Sequence, residues 1–256
     1  MMTARVVLLG TGTGLPDPDR AYTHLVWDGP GGPFLVDVGG ESYRRLLAAG
    51  IDPQRLTGVL LTHSHCDHIN GLPALLFSLR LGGRTEPLPI YSLPATIELT
   101  TAFLAAAGLE DWATPVIWQP VTPGEPLQLR DGLVITTAIT AHSRPCLALR
   151  FAAPNVPAVC YSSDTEPCPA VVDLATGAQI LIHEATTAEP FAGHTTPRQA
   201  GAVAAAAGVR RLILVHFSPR WTMPVDQALA EIAVGGFHGD AAVGVDLQEL
   251  TLLPER

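Results

Sequence analysis

His63-Ser64-His65-Cys66-Asp67-His68 packs three imidazoles and a carboxylate into six positions, directly after the apolar run Gly58-Val59-Leu60-Leu61-Thr62. The chain has nine histidines in 256 residues, so three falling together reads as a ligand cluster rather than a polar turn with chance histidines. His63 and His65 alternate as strand residues do, and both can face one way from the frayed end of a strand. Asp67 and His68 then sit on the following turn and can face a second ion. Neutral imidazole nitrogen and carboxylate oxygen suit zinc first, and also manganese or iron. Cys66 occupies a spacer position and is expected to pack behind the ligands.

The spacing His-x-His-x-Asp-His resembles that of the metallo-β-lactamase superfamily. The resemblance implies an α/β fold, the αββα four-layer sandwich, with a hydrolytic metal centre at one edge.

Outward from the motif, short apolar β-like runs alternate with helical stretches, as in an α/β architecture. Strands are expected at Arg5–Leu9, Phe34–Val38 and Val59–Thr62, and helices at Ser42–Ala49, Pro73–Arg80 and Thr96–Gly108. Residues 114–130, with prolines at 115, 120, 123 and 126, read as a connection near mid-chain. Strands resume at Val134–Ala141, Leu147–Ala152, Ala158–Ser162 and Ile180–His183. Helix Pro197–Ala207, strand Leu212–His216, helix Val225–Ala233 and strands near Ala241–Val245 and Glu249–Leu253 follow. Two halves of similar content, about 1–125 and 126–256, flank the proline-rich joint. Ligand candidates occur in both, which favours a single domain over 1–256 with its site at the seam.

Those further candidates stand where apolar runs stop. His142 ends one strand, Asp164 follows Val159-Cys160-Tyr161-Ser162-Ser163, and His183-Glu184 and His216 end two more. A two-metal hydrolase needs such a set, because ions about 3.5–4 Å apart activate a water and clamp the attacking and leaving oxygens. One divalent ion is assigned to His63, His65 and His142, and the other to Asp67, His68 and His216. Asp164 bridges them, since each of its oxygens can face one ion.

Longer segments narrow the resemblance to ribonuclease Z. Leu9-Gly10-Thr11-Gly12-Thr13-Gly14-Leu15-Pro16 with Asp19-Arg20, Asp37-Val38-Gly39-Gly40 and residues 62–73 look like that family's signatures. His183-Glu184-Ala185-Thr186, Gly193-His194-Thr195-Thr196 and His216-Phe217-Ser218-Pro219-Arg220-Trp221 are similar again. By that resemblance Glu184 and His194 form an acid pair outside the metal shell. His194 protonates the departing oxygen, while metal-bound hydroxide attacks phosphorus and Asp67 orients it or takes its proton. A homodimer is implied in the same way. The match departs at one place: only residues 143–163 lie between His142 and Asp164, where ribonuclease Z usually carries a long tRNA-gripping arm.

Composition trims the alternatives. The formal charge is −9, all fifteen basic residues are Arg, and no like-charge run appears, so the usual nucleic-acid footprint is missing. Gly10-x-Gly12-x-Gly14 continues with Leu15, which fails the dinucleotide pattern, and no phosphate-cradling P-loop occurs. Four scattered cysteines give no disulfide framework. Met1-Met2-Thr3-Ala4-Arg5 is read as running straight into a strand without a signal peptide, and no apolar stretch reaches membrane length; cytoplasm is expected. The leading expectation is a dinuclear phosphodiesterase acting on small or flexible phosphodiesters. A tRNA 3′-endonuclease is the alternative, and an arylsulfatase or lactonase of the same fold a further one.

Overall fold

A computed structural model describes residues 4–109 and 112–253. The opening Met1-Met2-Thr3, read above as leading into the first strand, lies outside them. Two seven-stranded mixed sheets lie face to face with helices outside each, the αββα sandwich. The first sheet contains β1 (Ala4–Gly10), β2 (His24–Asp28), β3 (Phe34–Val36), β4 (Gly58–Leu60), β5 (Leu88–Ser92) and β6 (Val116–Pro120). The second contains β7 (Leu127–Gln128), β8 (Val134–Ile139), β9 (Leu147–Ala153), β10 (Val156–Tyr161), β11 (Ile180–Glu184), β12 (Arg211–Val215) and β13 (Asp240–Val243). The last strand, β14 (Gln248–Leu252), returns to the first sheet and pairs antiparallel with β1.

Both faces of each sheet are covered, so the strands read as continuous apolar runs rather than strict alternations. In β1, Val6 and Leu8 point to the inter-sheet core while Val7 and Leu9 point to the outer helices. The inter-sheet core is centred on Trp27 and Phe151, whose rings stack 5.5 Å apart at 7°. Outside the first sheet run α1 (Ser42–Ala48), the single turn α2 (Cys66–Ile69), α3 (Leu72–Leu81) and α4 (Pro94–Ala106). Outside the second run α5 (Pro169–Ala175), α6 (Pro197–Ala207) and α7 (Val225–Val234). Thr196 caps α6 through a reciprocal bond pair with Gln199, Pro197 opens it, and Gly208 closes it at φ +66°, the ordinary start and stop chemistry of a helix.

Several expectations need correction. The proline-rich joint holds two strands, β6 and β7, each at the end of its sheet. An edge strand tolerates proline because half its amides need no ladder partner. β2, β5 and α5 were not anticipated. Asp67 and His68 lie on the turn expected for them, which is the single helical turn α2. Cys66 is exposed, not packed behind the ligands.

Strand direction places the site. β8, β10, β11 and β12 run the same way in one sheet, and β3 and β4 are parallel in the other. Their carboxyl ends share one edge of the sandwich, where loops in α/β sheets build binding sites.

Candidate active site

At that edge the structure gathers every residue of the sequence-derived ligand set. His63, His65, His142 and Asp164 bring their ligand atoms within 4.8 Å of one another, and so do Asp67, His68 and His216. Asp164 stands between the groups. Its Oδ2 lies 3.7 Å from His63 Nε2 and 3.8 Å from His142 Nε2, and its Oδ1 lies 3.6 Å from His68 Nε2 and 3.5 Å from His216 Nε2. Asp67 Oδ2 is 3.5 Å from His68 Nε2 and 3.6 Å from His216 Nε2.

These separations are long for hydrogen bonds but right for ligands of a common ion. Two donors each about 2.0–2.1 Å from a tetrahedral ion stand roughly 3.3–3.4 Å apart. The buried atoms His68 Nε2, His216 Nε2 and Asp164 Oδ1 have no hydrogen-bond partner among the described residues. Leaving buried polar groups unpaired is costly, and a shared divalent ion relieves all three. The donor set therefore fits a pair of divalent ions.

The far nitrogens of His68, His142 and His216 are held, which fixes the tautomer that offers a lone pair inward. His68 Nδ1 donates to Asp37 Oδ2 at 2.7 Å. Asp37 is itself fixed by the amide of Thr62 at 2.7 Å and its hydroxyl at 2.9 Å. His142 Nδ1 donates to the Gly193 carbonyl at 2.8 Å, and His216 Nδ1 to Thr186 Oγ1 at 2.8 Å. Burial alone would pull the His68 ring down, yet Asp37, Asp164 and Asp67 together push it up to about 10. The carboxylates thus make a well for positive charge. Asp37, Ser163 and His216 all take positive φ (60°, 51° and 63°), a conformation non-glycine residues hold only where surroundings enforce it, often at functional sites. Gly14 lies so close to Asp67 that a Cβ there would stand 3.1 Å from its Cγ, which accounts for one glycine of the opening segment.

Glu184, at the end of β11, is fully buried and accepts from five donors. These are the amides of Thr165, Thr186 and Thr195, the Thr186 hydroxyl and His194 Nδ1 at 2.9 Å. Burial disfavours a charged His194 ring, but the Glu184 bond outweighs it and the pKa is raised. Thr196 caps α6, so His194 is not spent on that helix. His183, by contrast, turns away and bonds the Glu184 carbonyl.

Sequence reasoning missed Asp37 and Thr186 as supporting residues, although both stood inside quoted segments. Asp37 ends the apolar run Phe34–Val36, the same strand-end signal that marked the ligands. Phe191 carried no signal; it emerges as part of a cavity of about 440 Å³ over the cluster, lined also by Leu15, Thr186, His194, Arg220 and Trp221.

Residues 34–217 match the family model described as a β-lactamase superfamily domain. Ribonuclease Z of Mycobacterium bovis BCG is 32% identical over 98% of this chain and 99% of its own. Among solved structures, the metallo-β-lactamase-fold protein YhfI of Bacillus subtilis superposes with a TM-score of 0.85 at 25% identity, covering 98% of this chain and 100% of that one. Human tRNase Z, short form, superposes at 0.77 and 22% identity over 96% and 98%, a likeness of fold.

Proposed function

The chain belongs to the β-lactamase superfamily, in its ribonuclease Z group, and is a metal-dependent hydrolase; from that premise we propose a phosphodiesterase acting on small or flexible phosphodiesters. The observation that carries this choice is the segment 143–163, which forms the β9–β10 hairpin joined at Pro154-Asn155 and nothing longer. No extended arm stands there to grip a folded RNA, and the charge of −9 disfavours a polyanion held by surface electrostatics alone.

His63, His65 and His142 would hold one ion, Asp67, His68 and His216 the other, with Asp164 between them. Zinc is the metal the nitrogen-rich donor set suits best, with manganese or iron also accommodated. When bound, the ions supply Lewis acidity toward the phosphoryl oxygen and activate a water. Asp67, on the cavity wall, would receive a proton from the attacking water. His194 donates a proton to the departing oxygen, and Glu184 orients its ring from the Nδ1 side. This is general acid catalysis by a positioned imidazole.

A second reading is cleavage of a tRNA precursor, supported by the full-length likeness to curated ribonuclease Z. A homodimer accompanies the proposal: α4 buries its threonines Thr96 and Thr100 and leaves Leu99 exposed, and α3 leaves Phe77 and Leu81 exposed. Four free cysteines suit a reducing, cytoplasmic setting, and no helix among the described residues is long and apolar enough to cross a membrane. One catalytic domain over residues 1–256 completes the reading.

The test is metal-loaded protein assayed side by side on bis-p-nitrophenyl phosphate and a 3′-extended tRNA precursor, with His65→Ala as control. Diester hydrolysis without tRNA cleavage is expected. Cleavage of the precursor would establish the second reading.

A further inference from the structure

Phe191 is 63% exposed and lines the cavity over the metal-ligand cluster. Its ring runs near-parallel to His194, 6.1 Å away at 21°, and His194 in turn to His216, 5.7 Å away at 24°. Three rings thus step from the metal-ligand cluster out to solvent.

The segment that carries Phe191 is tied down on both sides. Thr186 is bonded to Glu184 through its amide and hydroxyl. Gly193 donates its amide to Glu166 Oε1 at 2.7 Å and lends its carbonyl to His142, and the His194 amide returns to the Phe191 carbonyl at 3.1 Å. The backbone that carries the ring is therefore anchored on both sides, which lowers the ordering cost of binding to it.

Chemistry fixes what stands beside it. Glu184 occupies His194 Nδ1, so Nε2 is the atom that meets the departing oxygen. Whatever that oxygen carries emerges next to Phe191, with Leu15, 43% exposed, on the cavity wall formed by the opening loop. An exposed, flat ring favours another flat ring, because stacking adds to simple apolar burial.

We propose that Phe191 forms a leaving-group subsite for a planar ring, an aryl group or a nucleobase, carried on the departing oxygen of the scissile phosphodiester. The subsite rests on the phosphodiesterase reading above. In the reaction it serves, a water oxygen bonds to phosphorus and gives its proton to Asp67. The bond from phosphorus to the ring-bearing oxygen breaks, and that oxygen takes a proton from His194.

Calorimetric titration of the metal-loaded protein with methyl phenyl phosphate and methyl cyclohexyl phosphate separates stacking from bulk. The wild type should bind the phenyl ester about 10-fold more tightly, from the known worth of ring stacking. Phe191→Ala should bring the ratio close to one, and Phe191→Trp should restore it. Thymidine 3′-methyl phosphate as a third ligand distinguishes the two sources of the ring: tighter binding than the phenyl ester assigns a nucleobase, and weaker or equal binding an aryl group. A ratio near one in the wild type, or one that survives in Phe191→Ala, overturns the subsite while turnover of bis-p-nitrophenyl phosphate leaves the parent reading standing. Failure to bind any of the three diesters, with no turnover, overturns both.

Discussion

Replacing Thr186 by valine tests how the acid pair and the metal cluster are joined. The Thr186 hydroxyl has one proton, which it gives to Glu184 Oε2 at 2.6 Å. It must therefore accept from His216 Nδ1 at 2.8 Å, and this fixes the His216 tautomer with Nε2 free to coordinate. Valine keeps the shape and removes both bonds, together with the hydroxyl's 3.2 Å contact to His194 Nδ1. Glu184 Oε2 then retains only the amides of Thr186 and Thr195, and His216 Nδ1 loses its partner in a buried site. A hydrogen bond to a charged group contributes about 1.5–3 kcal/mol, and loss of a ligand's orienting partner typically costs 10–100-fold in metal affinity or activity. Thr186→Val should accordingly weaken binding of the second ion by about 10–100-fold in chelator competition, with a comparable fall in diester turnover. Thr186→Ser should recover most of both. Wild-type metal affinity in the valine variant would refute the reasoning.

Further expectations concern residues that support the site from below or beside it. Asp37→Ala removes the anchor of His68 and leaves the Thr62 amide unpaired in a buried setting; a stability loss of about 2–4 kcal/mol and reduced metal content are expected from urea unfolding and elemental analysis. Gly14→Ala pushes on the Asp67 carboxylate and should lower turnover about 10-fold with the unfolding midpoint nearly unchanged. His24 is buried, and burial holds its pKa down at about 4, so below its unfolded pKa of about 6.5 the unfolded chain binds more protons than the folded one. Its contribution therefore turns unfavourable as pH falls from about 6.5 to 4, reaching about 3 kcal/mol, and His24→Gln should lose less stability than the wild type between pH 7 and 4.5 when both are freed of metal. A thiol reagent at pH 8 should label exposed Cys66 rapidly and spare Cys160, whose thiol burial pushes up to about 12.

The candidate ligand cluster was legible because metal chemistry is written in residue type and local spacing. His63 through His68 declared themselves within one turn of chain, and His142, Asp164 and His216 through their position where apolar strands stop. All seven meet in space because their strands end at one edge. The supporting shell was harder to read. Thr186 and Asp37 act by one hydrogen bond each across 30 or 31 positions of sequence, and no local pattern encodes such a partner. β5 and β6 were hidden by Pro89, Pro115 and Pro120, which speak against a strand locally but are accommodated once the sheet supplies neighbours or an edge. Phe191 resembles any loop phenylalanine until His194 is found beneath it.

Stepwise addition of zinc or manganese to metal-free protein, with hydrolysis of bis-p-nitrophenyl phosphate read at each step, tests the dinuclear centre most directly. Activity should rise to a plateau at two equivalents per chain and remain absent in Asp164→Ala. A plateau at one equivalent, or full activity without Asp164, would contradict a centre in which that carboxylate spans two ions.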